Sequence, residues 1–146
     1  MYLLSEGDRL FREAMERCAI APADFDHRAH LRLAYIYLSE HDIDAAVAAT
    51  RTTLLRLLTH NGIDAAKFHV TLTRAWLMAV KHFMVKAGEA TCADDFIDRS
   101  AVLLDSRAML THYSPELLFS TGARREFVAP DLDPIPDHES RSRTGD

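Results

Sequence analysis

The sequence is poor in the residues that punctuate a chain. It has five glycines and five prolines in 146 residues, and three of those prolines lie after residue 129. An all-β sandwich or barrel needs turn signals at short, regular intervals, so this scarcity disfavours both. Cysteine is scarce too. Cys18 and Cys92 stand far apart with no CxxC spacing, which gives no disulfide framework and fits a reducing compartment. No apolar run reaches the roughly 18 residues of a membrane span, and Met1 to Leu4 is too short and uncharged to open a secretory signal. The expectation is a cytoplasmic protein with no membrane partner. Basic residues are outnumbered, 17 against 22 acidic, and the net charge of −5 leaves nothing to draw the chain to a polyanion. Nucleic acid is therefore not an expected partner.

Known catalytic motifs are missing as well. There is no Gly-rich phosphate loop, no nucleophile elbow and no Cys/His pair in a protease context. The residues three before His27, His30 and His69 are Asp24, His27 and Ala66, so no Glu-x-x-His pair exists and a di-iron carboxylate bundle is disfavoured.

What the chain does have is apolar residues, 48% of the total, arranged at helical spacing. Ser5 and Asp8 form a capping-box pattern ahead of Phe11, Ala14, Met15 and Cys18, predicting a first helix over 6–19. Pro22 breaks it. Asp24 or Asp26 then caps a second helix carrying His27, His30, Leu31, Ala34, Tyr37 and Leu38, which ends near Glu40. Asp42 caps a third, with Ile43, Ala46, Val47, Thr50, Leu54, Leu57 and Leu58 on one stripe, and Asn61-Gly62 stops it. Asp64 is read as the cap of a fourth helix of about 23 residues running to Gly88, with His69 and the single tryptophan, Trp76, on its inward stripe. Shorter pieces follow over 94–104 and 106–111, then at Ser114-Pro115 and within 120–128. The fold class expected is all-α, a single-domain antiparallel helical bundle over 1–130. A polar, proline-punctuated tail over 131–146 is expected to be extended or disordered.

Two resemblances add to this reading. Leu33, Ala34, Tyr37, Asp42 and Ala46 fall at the intervals of a tetratricopeptide repeat, so residues 33–58 resemble one such helical hairpin. Small residues there let two helices approach while the tyrosine fills the gap. Phe25-Asp26-His27-Arg28-Ala29-His30, His60-Asn61-Gly62, Phe68-His69-Val70-Thr71-Leu72-Thr73 and the stretch from Ala123 and Arg124 through Phe127, Val128 and Pro130 to Leu132 together resemble a family of small uncharacterised bacterial helical proteins. That resemblance implies that His27, His30 and His69 belong to one shared pattern.

Histidine is the abundant reactive residue, eight in all. In a bundle with short loops, the start of the second helix, the end of the third and the start of the fourth share one end. His27 and His30, His60, and His69 occupy those three places. The i, i+3 spacing sets His27 and His30 about 5–6 Å apart at Cβ, close enough to share an ion. His27, His30, His60 and His69 are therefore the candidate metal ligands, and zinc or iron, both suited to imidazole, is expected ahead of copper. Asp24, Asp26, Thr71, Thr73 and Tyr37 are candidates to orient them. Alternatively, His60 only complements the carbonyl end of its helix, and Cys18 is a small core residue rather than a soft ligand. His41 and His82 read as surface residues, while His112 and His138 lie in loops. Function then divides between a small metal-binding protein, with a possible small-molecule substrate, and a non-enzymatic adaptor whose hairpin takes a protein partner.

Overall fold

Local hydrogen bonding fixes most helix ends. In the computed structural model, which describes residues 1–136, the first helix, α1, is Glu6–Glu16. The Ser5 hydroxyl accepts the Asp8 amide and the Asp8 carboxylate accepts the Ser5 amide, the capping box read from the sequence. The helix ends three residues before the predicted position. Cys18 adopts φ +59° and Ala19 N–H reaches back to the Ala14 carbonyl, a left-handed closure usually reserved for glycine. A single 3₁₀ turn at Pro22–Asp24 leads to α2, His27–Glu40, capped by Asp26 rather than Asp24. Asp42 caps α3, Ile43–His60, and Gly62 at φ +69° closes it.

The fourth helix departs from the sequence reading. Asp64 caps only a 3₁₀ turn, Ala65–Lys67, and α4 runs Val70–Ala87 with His69 as its N-cap. His69 is thus a residue before the helix and not one on its inward stripe. Gly88 at φ +81° ends α4 as expected. Cys92 caps α5, Ala93–Arg99, and two 3₁₀ turns at Ala101–Leu104 and Ala108–Thr111 replace the longer helices predicted there. Ser114 with Pro115 opens α6, Pro115–Leu118, and Ser120 caps α7, Thr121–Arg125. No strand forms among the described residues. The nearest thing is a lone parallel bridge between Tyr2 and Ala90, where Leu3 N–H donates to the Ala90 carbonyl at 2.8 Å.

The protein is an all-α bundle. α2 is its centre: Leu31 and the run from Leu33 to Leu38 are buried, because α1, α3, α4 and α5 cover it from several sides. Tyr35 stacks on Phe96 with ring centroids 5.1 Å apart, and its hydroxyl donates to the Leu3 carbonyl. No helix among the described residues is long and apolar enough to cross a membrane.

Polar ties hold the outer pieces. The buried Asp8 carboxylate accepts the Ala93 amide and Arg32 Nε, both at 3.0 Å, and so joins α1 to α2 and α5. Thr71, fully buried on α4, donates to the Glu126 carbonyl at 2.9 Å and accepts the Val128 amide at 3.1 Å. The stretch expected to be a tail is held as far as residue 136. Asp131 accepts the Ser114 amide and hydroxyl, Leu132 N–H donates to the His112 carbonyl, and Ile135 is buried. The remainder of the tail, His138 included, lies outside the described residues.

Candidate functional site

The start of α2, the C-terminal half of α3 and the start of α4 do not close on one another. They leave a cavity of about 510 Å³, within the size range of small-molecule sites. Its walls are mainly apolar and aromatic, with Phe25, Leu54, Leu57, Phe68, Leu72 and Trp76 among them. Trp76, read from the sequence as a core residue, is half-buried because one side of it faces this space.

Three of the four histidines singled out in the sequence, His27, His30 and His69, line the cavity together. His60 does not. It is exposed at the end of α3, beside a shallow depression that it shares with Arg17, Cys18 and Arg56. Among the described residues, no group of three or more His, Cys, Asp or Glu side chains is disposed to hold a metal ion. The four histidines therefore do not assemble as the expected ligand set.

Hydrogen bonding contributes, because each of the three imidazoles in the cavity wall has been given a partner. His69 Nδ1 accepts the Leu72 amide at 3.1 Å, which is its capping role, so the ring proton sits on Nε2 and is donated to the Leu118 carbonyl at 2.7 Å. Neither nitrogen is left over, and an ion at His69 would have to break one of these bonds. Burial pushes the His69 pKa down, although its bond to the Leu118 carbonyl opposes this, and the ring is neutral in this arrangement. Thr73 completes the cap by donating its hydroxyl proton to the His69 carbonyl.

His27 donates from Nε2 to the Leu103 carbonyl at 2.8 Å and sets its ring edge-on to Trp76 at 4.7 Å. His30 donates from Nδ1 to the Asp26 carbonyl at 3.0 Å and lies against Phe25, with centroids 4.0 Å apart. Its Nε2 keeps a lone pair with no partner among the described residues. The ring is open to solvent, yet enough protein surrounds it that desolvation pushes its pKa down, aided by the neighbouring His27 and opposed by the Asp26 carbonyl. A neutral imidazole whose Nδ1–H is anchored by a backbone carbonyl presents Nε2 as an acceptor or base.

Some orienting groups expected from the sequence take other roles. It is the Asp26 carbonyl and not its carboxylate that holds His30, since the carboxylate caps α2. Tyr37 bonds Glu16 at 2.6 Å and Thr53 at 2.7 Å, away from the histidines. Thr71 serves the C-terminal segment instead. The aromatic wall was missed by sequence reading, although Phe25 and Phe68 flank the histidines in sequence and a signal was present there. Compared with protein-family models, curated proteins and solved structures, the chain matches none. Some of the motif residues share one place: Phe25, His27, His30, Phe68, His69 and Thr73 line the cavity, while His60, Thr71 and the 123–132 stretch do not.

Proposed function

We propose that this protein binds a small, largely apolar molecule in the cavity between α2, α3 and α4, with His30 as its polar anchor. The observation that carries this reading is an aromatic-walled space of about 510 Å³ in which His27 and His30 each keep one uncommitted imidazole nitrogen while both of those of His69 are spent. Ligand sites characteristically combine apolar walls with a few placed polar groups. The reading keeps the small-molecule partner expected from the sequence and makes no use of a metal.

The metal reading has less support. His69 offers no free nitrogen, His60 lies elsewhere, and His27 with His30 supply at most one uncommitted nitrogen each. The adaptor reading is weakened differently: α4 packs against both α2 and α3, so the hairpin is not an open groove.

Binding is testable through Trp76, the chain's single tryptophan, which sits in the cavity wall. A library of apolar small molecules should yield compounds that shift its emission and raise the melting temperature, since a ligand bound only by the folded state stabilises it by mass action. Leu54→Phe, which adds bulk to the wall, should weaken those hits. Hits that bind Leu54→Phe unchanged would place them elsewhere, and stabilisation by zinc or iron(II) but by no organic compound would restore the metal reading.

A further inference from the structure

The hydrogen-bonding capacity of the cavity wall is weighted toward acceptors. His27 has spent its ring proton on Leu103 and His30 has spent its own on Asp26, so the remaining nitrogen of each is an acceptor. His69 has nothing left. Thr50 donates its hydroxyl proton to the Ala46 carbonyl and Thr73 donates its own to the His69 carbonyl, so both can now only accept. The wall contains no Asp or Glu; of the side chains that still carry protons to give, Lys67 and Ser106 are exposed, and Trp76 adds one indole N–H. Acceptors thus outnumber donors along an apolar wall, with His30 at its solvent-facing mouth.

An acceptor covered by a ligand that can only accept loses its water and gains nothing, whereas a donor restores the bond. From this inventory we infer that the cavity selects an apolar molecule bearing a hydroxyl group, whose O–H donates to His30 Nε2 while its hydrocarbon body lies against Phe25, Phe68 and Trp76. The inference rests on the reading above that the cavity binds a ligand. It adds the chemical class: alcohols and phenols are favoured over the corresponding ethers, which can only accept, and over carboxylates, whose charge would face the lone pairs of His30 and the threonines.

Three probes of one shape separate the possibilities: 4-butylphenol, 4-butylanisole and 4-butylbenzoate, titrated calorimetrically into the full chain at pH 8. The phenol should bind about tenfold more tightly than the anisole, the value of one net hydrogen bond. In His30→Phe, which can still stack on Phe25 but cannot accept, that ratio should fall to about one. His30→Gln, whose amide oxygen can accept, should recover part of it, and circular dichroism on both variants checks the fold. Equal binding of phenol and anisole to the unmodified protein overturns the inference, as does a preference that survives His30→Phe. Tighter binding of the benzoate overturns it in favour of an anion held by Lys67. If no probe binds, while apolar compounds of other shapes do, the class is wrong and the cavity reading stands; if nothing apolar binds at all, both fall together.

Discussion

Replacing Asp8 with alanine tests the packing scheme most directly. Its side chain is 2% exposed, and three donors from three parts of the chain converge on it: the Ser5 amide at 3.1 Å, the Ala93 amide at 3.0 Å and Arg32 Nε at 3.0 Å. Alanine leaves two amides without an acceptor and a partly buried guanidinium without its counter-ion. Removing one member of a buried ion pair costs about 3–5 kcal/mol. Alanine's better helix propensity returns only a few tenths of that. Asp8→Ala should therefore lose about 3–5 kcal/mol, a large share of the 5–15 kcal/mol typical of a domain. With a urea m-value of about 1–3 kcal/mol/M, the midpoint should move by more than about 1 M. Arg32→Leu is the informative comparison. It keeps both amide bonds but leaves the buried carboxylate without its counter-ion, so it too should cost about 3–5 kcal/mol. Acid supplies a second readout. Burial alone would raise the Asp8 pKa, but the Ala93 and Ser5 amides and Arg32 outweigh it and the net shift is downward. Its contribution is thus present above the unfolded carboxylate value of about 3.9 and disappears as pH falls through the lower folded value. Asp8→Ala should lack that part of the acid transition. A variant within about 1 kcal/mol of the parent, or one with an unchanged acid limb, would refute the reasoning.

His69→Ala should cost about 2–4 kcal/mol by urea titration, since it removes an N-cap and leaves the Leu118 carbonyl unmet, whereas His60→Ala should stay within about 0.5 kcal/mol. Because burial lowers the His69 pKa, its stabilisation is complete above the unfolded histidine value of about 6.5 and is lost as pH falls through the folded value. The parent should be less stable at pH 5 than at pH 8, and His69→Asn, which retains a capping oxygen, should show a shallower loss. Thr71→Val keeps the shape but deletes both bonds to 126–128; hydrogen exchange at the Val128 amide should accelerate by at least tenfold, and unchanged protection would contradict the tie. Truncation after Pro130 removes the Asp131 bonds to Ser114 and the buried Ile135, so the melting temperature should drop by several degrees; an unchanged value would show that 131–136 contributes nothing.

Where a boundary depends on residues within one turn of each other, the sequence alone determined it. Ser5 with Asp8, Asp42, Asn61-Gly62, Gly88 and Ser114-Pro115 mark the ends they were read to mark, because capping and left-handed closure are settled by side chains and backbone three or four positions apart. The all-α class followed from the same local signals, and the meeting of His27, His30 and His69 followed from short connections between long helices. Tertiary structure decided the rest. Asp64 and His69 were both able to cap a helix, and the choice of His69 goes together with a bond from its Nε2 to a carbonyl 49 residues away. The Leu103 carbonyl, 76 residues from His27, fixes which of that ring's nitrogens carries the proton. Whether a histidine is a ligand, a cap or an acceptor depends on which atoms reach its two nitrogens. Those atoms belong to segments that periodicity and spacing cannot bring together, because contact across the fold is set by how whole helices pack and not by any residue's neighbours in the chain.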